Sequence, residues 1–223
     1  MALILHLDTS GSAGIAMLAQ DGRPVAVRRS EGEREHAGNI NGIVEEALRD
    51  AGARLADIDA VAVSNGPGSY TGLRIGLATA KGYCYVLGKP LILHNRLSLM
   101  LLEASLTMPG LRTVAAVLPA RSGEYYAAVG GEETILAPTH ITTHELIQIL
   151  QASTSEVGII GRVAEDLFSI FSSEGTKFVE HNMLNDASWA GAGEKAFLAG
   201  NFADIAYAEP EYLKSVFIAP KRR

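Results

Sequence analysis

The run Ser64-Asn65-Gly66-Pro67-Gly68-Ser69-Tyr70-Thr71-Gly72-Leu73-Arg74-Ile75-Gly76 decides how this chain is read. It leaves a short β-branched run, Ala60-Val61-Ala62-Val63, that reads as a buried strand. Asn, Gly, Pro and Ser then supply the positive φ, the preset φ and the side-chain-to-backbone bonds of a tight turn. From Tyr70 the pattern becomes helical, with Leu73, Leu77 and Ala80 at spacings of three and four. On that helix Gly72, Gly76, Ala80 and Cys84 recur every four residues and leave a stripe with almost no side-chain bulk. Glycine weakens a helix by about 1 kcal/mol relative to alanine, so two on one face imply that another backbone approaches closely. The loop itself supports two readings. It could cradle a phosphate on the free N–H groups of a helix N-terminus, or it could simply turn the chain. It lacks the Gly-Lys-Ser/Thr of a P-loop.

Composition narrows the classes. Of 223 residues 48% are hydrophobic and 20% charged, an ordinary globular balance for one large domain or two of about 100 residues. A net charge of −6 argues against an autonomous nucleic-acid-binding surface. One cysteine, Cys84, excludes an intrachain disulfide and reads as a small packing residue. The first eight residues lack a basic region and reach Asp8 too soon for a signal peptide, and no run approaches the ~18 apolar residues of a membrane span. The expectation is a soluble cytoplasmic protein.

In chain order, Leu3 to Leu7 reads as a strand ending in Asp8-Thr9-Ser10, and Gly14 to Leu18 and Val25 to Arg28 read as two more, joined by an Asp21-Gly22 hairpin signal. The Asp8 corner is either a metal or phosphate contact or an Asx-type turn. Glu33 to His36 lead into a helix with Ile40, Ile43, Val44, Ala47 and Leu48 on one stripe, stopped by Gly52. His36 reads as a surface residue of its first turn. After the glycine stretch come a strand at Leu91 to Leu93, a helix through Leu106 and a break at Met108-Pro109-Gly110. The pattern then begins again: strands at Thr113 to Leu118 and Tyr125 to Val129, a helix from His144 to Gln151, a strand from Val157 to Ile160, and helices at Ala164 to Phe171 and Gly193 to Ala199. A hairpin followed by helices, written twice, implies an α/β protein of two related lobes, 1–107 and 108–223. The basic tail Lys221-Arg222-Arg223 reads as solvated.

The glycine stretch, followed by Ala80-Lys81-Gly82, resembles the signature of the TsaB family of tRNA threonylcarbamoyladenosine biosynthesis proteins. Leu7-Asp8-Thr9-Ser10, Ala120-Arg121-Ser122-Gly123-Glu124-Tyr125-Tyr126 and Glu209-Pro210-Glu211-Tyr212-Leu213 support the resemblance, in the family's order and over nearly the whole chain. It implies the two-lobed fold of the actin, chaperone and sugar kinase superfamily (ribonuclease H-like), each lobe a mixed sheet with helices. The last ~20 residues could then pack back on the first lobe. It also implies a non-catalytic subunit that heterodimerises with a TsaD-like transferase through first-lobe helices. That subunit works with a TsaE-like ATPase to modify adenosine 37 of tRNAs reading A-starting codons, and it meets tRNA only through the complex.

Two departures from the catalytic paralogue fit that role. Where the paralogue carries a His-x-x-x-His metal pair, this chain has His94 with Arg96 and Met100 in the neighbouring positions. A metal site needs several oxygen or imidazole ligands, so none is expected here. Pro119 stands where relatives carry the aspartate of Asp-Ala-Arg, which removes the carboxylate that would mirror Asp8. His140 and His144 have ligand spacing if helical but read as surface or capping residues. The expected partner-binding residues are Ile40, Ile43, Val44, Ala47, Leu48, Gly72, Leu73, Gly76, Ala80 and Cys84. Alone, this face is expected to make a homodimer. Asp8, Thr9, Ser10 and Arg121 are candidate nucleotide contacts, with ATP or ADP sitting, if anywhere, at the interface with the transferase. The alternative is an ATP-dependent phosphotransferase or hydrolase built on Asp8.

Overall fold

A computed structural model describes residues 2–30, 39–131, 133–153, 156–171, 176–180 and 183–214. Glu33 to His36, His181 and the tail Lys221 to Arg223 lie outside the described residues.

Each half builds the same sheet. In the first, β1 (Leu3–Asp8), β2 (Ile15–Gln20) and β3 (Arg23–Arg29) form an antiparallel meander, and β4 (Ala60–Gly66) and β5 (Leu91–Asn95) add in parallel, giving the order β3-β2-β1-β4-β5. Asp21 and Gly22 turn the β2–β3 hairpin with φ of 51° and 72°, the positive values that a two-residue hairpin turn demands. Helices α1 (Ile40–Asp50) and α2 (Tyr70–Leu87) belong to this half, α2 being closed by Gly88 in the left-handed conformation. The second half repeats the scheme with β6 (Thr113–Pro119), β7 (Glu124–Gly131), β8 (Thr134–Thr142), β9 (Val157–Gly161) and β10 (Lys177–Glu180), ordered β10-β9-β6-β7-β8. Its helices are α4 (Thr143–Gln151) and α5 (Glu165–Phe171). This is the two-lobed actin-like α/β architecture expected from the sequence.

Strands β8 and β10 carry no expectation from the sequence. β8 is an edge strand that contains Pro138 and the adjacent apolar residues Ile135, Leu136 and Ala137, with register shifts against β7, and β10 is four residues long, so neither shows the alternation that betrays a strand. The last helix is longer than its sequence suggests. It runs as α6 from Asp186 to Leu198, started by the Asn185 side chain accepting from the Ser188 N–H, and Gly191 and Gly193 in its interior hide the helical pattern.

The two halves exchange their closing helices. Leu97, Met100 and Ala104 of α3 (Arg96–Thr107) pack on Val114, Ala116 and Leu118 of the second sheet. Trp189, Ala190, Ala196 and Phe197 of α6 pack on β1, β2 and β4 of the first. Both helices therefore lie between the sheets and touch each other. Helices α1 and α2 cover the outer face of the first sheet, and α4 and α5 that of the second. A cut at 107/108 separates the strands of the two lobes but assigns α6 to the opposite lobe from the one on which it packs, and α3 to the lobe on which it packs less, through Leu99.

Candidate functional site

The glycine stretch places the first site feature. β4 ends at Gly66, and the Ser69 hydroxyl accepts from the Gly72 N–H to start α2. The bare stripe of α2 faces inward. A Cβ at Gly72 would overlap the Thr9 carbonyl, and one at Gly76 would overlap the Thr9 hydroxyl, which donates to the Gly72 carbonyl at 2.6 Å. The expected close backbone approach exists, but the approaching backbone is the β1–β2 corner of this same chain.

The expected partner-binding set needs correction on this point. Ile40, Ile43, Val44, Ala47 and Leu48, with Ala80 and Cys84, belong to the core cluster under α1 and α2, and Gly72, Leu73 and Gly76 are buried beside it. All ten are buried, so none presents a surface. An amphipathic stripe on a helix covering a sheet faces that sheet first. A second stripe on α2 faces solvent instead. Thr71, Ala78, Gly82 and Tyr85 are exposed, Ile75 is half-buried, and these positions repeat at spacings of four and three, the period of a helix–helix seam. Tyr85 is 82% and neighbouring Val86 78% exposed, and a Cβ at Gly82 would meet nothing within 4 Å. This stripe is legible in the sequence, but the stripe of smaller residues on the same helix outweighs it.

The Asp8 corner is closed. Asp8, Thr9 and Ser10 are 2–4% exposed, and the Asp8 carboxylate accepts from the Ser10 N–H at 2.8 Å, an Asx turn. The Ser69 N–H donates to the Ser10 carbonyl at 2.9 Å, which lays the glycine loop over the corner. From below, Arg96 at the start of α3 donates to the Ser10 hydroxyl at 3.5 Å, and its guanidinium lies 3.5–3.6 Å from where a Gly11 side chain would begin. A buried protein cation thus stands beside the corner where a phosphate or hydrated metal would need room.

Arg121 lies elsewhere. It is exposed in the β6–β7 turn and lines a cavity of about 400 Å³ between the lobes, facing Pro67, Gly68 and Tyr70 of lobe one and Tyr126, Tyr212 and Lys214. Asp8, Thr9 and Ser10 do not line this cavity, so the four candidate nucleotide contacts do not converge.

The histidines divide similarly. His140 sits on β8 and bonds the Glu124 carboxylate at 3.0 Å, while His144 opens α4 and bonds Gln148, so they do not share a helix face. Among the described residues no three His, Cys, Asp or Glu side chains gather as metal ligands. His94 is half-buried on β5, and burial pulls its pKa down to about 4. His6 on β1 lies wholly inside, its ring 5.1 Å from the Trp189 ring in an edge arrangement, and burial, then the charge of His94, lowers its pKa to about 3. Cys84 is buried with its thiol pushed up to about 11, unsuited to nucleophilic work. No helix among the described residues is long and apolar enough to cross a membrane.

The model of the family described as "TsaD: tRNA N6-adenosine threonylcarbamoyltransferase" matches residues 28–221. The Escherichia coli tRNA threonylcarbamoyladenosine biosynthesis protein TsaB is 31% identical over 95% of this chain and 94% of its own length. This chain belongs to the TsaB family. A tRNA N6-adenosine threonylcarbamoyltransferase of Moorella thermoacetica is 37% identical, but over 54% of this chain and 40% of that relative. The similarity to the Escherichia coli TsaB thus spans the chain, whereas that to the Moorella transferase covers about half of it. The solved structure of YeaZ from Pseudomonas aeruginosa superposes with a TM-score of 0.76 at 24% identity, covering 96% of this chain and all of that one, and carries the fold.

Proposed function

We propose that this chain serves in tRNA threonylcarbamoyladenosine biosynthesis as the non-catalytic partner of a TsaD-type transferase. A TsaE-type ATPase completes the assembly, and tRNA is met only there. The observation that carries the reading is the filled corner. Asp8 is spent on its own turn, Arg96 stands beside it, and Arg121 lies apart in the interlobe cavity. A carboxylate 2% exposed, with one oxygen held in its own turn, is poorly placed for the metal-assisted chemistry of phosphoryl transfer. The chain then acts through its surface.

The surface we assign is the outer stripe of α2, Thr71, Ile75, Ala78, Gly82 and Tyr85 with Val86, flanked by α1. The Tyr83 hydroxyl ties the two helices by donating to Asn41 at 2.7 Å. Small residues at Ala78 and Gly82 allow a partner helix close, and Tyr85 and Val86 offer apolar area at its end. Alone, the same stripe pairs two copies of the chain. ATP or ADP, where bound, lies at the joint with the transferase.

Gly82→Trp tests the assignment, because it fills open space and spares the fold. Titration calorimetry against the transferase subunit should show affinity falling at least tenfold, with tRNA modification falling in parallel. Undiminished affinity would exclude this face.

A further inference from the structure

Beyond α6 the chain makes a structure that the proposed function does not use. Residues 203–214 run back across lobe one, from the Ala203 N–H donating to the Leu91 carbonyl at 2.8 Å. Lys81 of α2 donates to the carbonyls of Ala206 and Ala208, and the Glu211 N–H donates to the Asn65 carbonyl at 2.8 Å. The Glu211 carboxylate accepts from Asn95 at 2.8 Å. Tyr212 stacks on Tyr70 at 5.0 Å, accepts from Arg74 at 3.0 Å, and Arg74 lies 4.1 Å over the Tyr70 ring. Gly66 of the signature stretch fits this path, since a Cβ there would stand 2.5 Å from the Glu211 carbonyl. The segment then leaves lobe one. Leu213 packs on the core between α3 and the second sheet, and Lys214 pairs with Glu124 at the start of β7, where His140 also bonds.

We infer that residues 203–214 are a strap that sets the angle between the lobes, anchored on the glycine stretch of lobe one and latched to lobe two through Lys214 and Glu124. Kinases and ATPases of two-lobed design close around a ligand held by both lobes. Here a covalent part of the chain spans the cleft, and Glu211, Tyr212, Leu213 and Lys214 wall the interlobe cavity. The strap also fixes the loop that launches α2, so lobe angle and the pose of the outer α2 stripe move together.

The test uses the full chain with spin labels on cysteines at Glu45 and Gln151, exposed sites on the two lobes, Cys84 being buried and unreactive. Pulsed electron spin measurements should give one narrow distance for this parent. Lys214→Glu should broaden it toward longer distances and speed amide exchange at Glu211 about fivefold, the scale of a half-exposed ion pair. Adding Glu124→Lys to restore the pair with its charges swapped should recover both readings. Tyr212→Ala, which loosens the strap at its other end, should broaden the distance in the same way. A narrow, unchanged distance in Lys214→Glu and Tyr212→Ala overturns the strap, even if exchange rises, and so does a charge swap that fails to recover the parent distance.

Discussion

Two glycines ten residues apart on α2, Gly72 and Gly82, should respond to the same substitution with opposite signs. At Gly82 an added methyl meets nothing within 4 Å, so Gly82→Ala gains the helix-propensity difference of about 1 kcal/mol. At Gly72 the same methyl would overlap the Thr9 carbonyl, in a corner also held by the Thr9 hydroxyl bond to the Gly72 carbonyl. Overpacking of this kind costs about 1–3 kcal/mol, and disturbing the hydrogen bond adds about 1 kcal/mol. After the propensity gain, Gly72→Ala should be destabilised by about 1–3 kcal/mol. For a chain of this size about 1 kcal/mol moves Tm by roughly 2–4 °C. Thermal unfolding followed by circular dichroism should therefore show Gly82→Ala a few degrees above wild type and Gly72→Ala several degrees below. Equal shifts would refute the assignment of an inward and an outward face to α2, and the docking proposal built on it.

Acid should weaken the fold through His6 and His94. Their folded pKa values of about 3 and about 4 lie below the ordinary 6.5, so the unfolded chain takes up protons first and stability falls as pH drops below 6.5. Each contributes a loss of about 2 kcal/mol at pH 5, and urea titrations should show His6→Gln losing about 2 kcal/mol less than wild type between pH 8 and pH 5. Gly193→Ala should lower Tm by several degrees, because its Cβ would run into the His6 ring against Trp189. Asp8→Asn should leave the rate of tRNA modification by the reconstituted assembly within about twofold of wild type. A loss of 100-fold, the scale of removing a group that acts in catalysis, would restore the phosphotransferase reading.

The first lobe was legible because its signals are local. Asp21-Gly22, the β-branched run before Gly66 and the stop at Gly88 each name one conformation. The second lobe was less so. β8 is a largely exposed edge strand interrupted by proline, and α6 keeps Gly193, which its contact with His6 requires, so tertiary packing overrides propensity there. On α2, sequence reading expected a close backbone approach, and Gly72 meets one at the Thr9 carbonyl, with Gly76 against the Thr9 hydroxyl. It placed that approach against a partner, because a periodic stripe reports that a face is covered but not by what. Arg96 stood out as a replacement for a ligand, yet its reach back to Ser10 depends on the exchanged position of α3.

That exchange bears on how the chain comes to be folded. While only residues 1–107 have been made, the inner face of the first sheet lacks the cover of α6, and the Leu97, Met100 and Ala104 side of α3 lacks the second sheet on which it packs. The core of the first sheet's inner face closes only when α6, the last helix among the described residues, arrives. Neither half is an independent folding unit, despite the doubled plan. Fragments divided near residue 108 should be insoluble when made separately and soluble when made together, so this duplicated chain behaves in folding as two halves that can mature only in each other's presence.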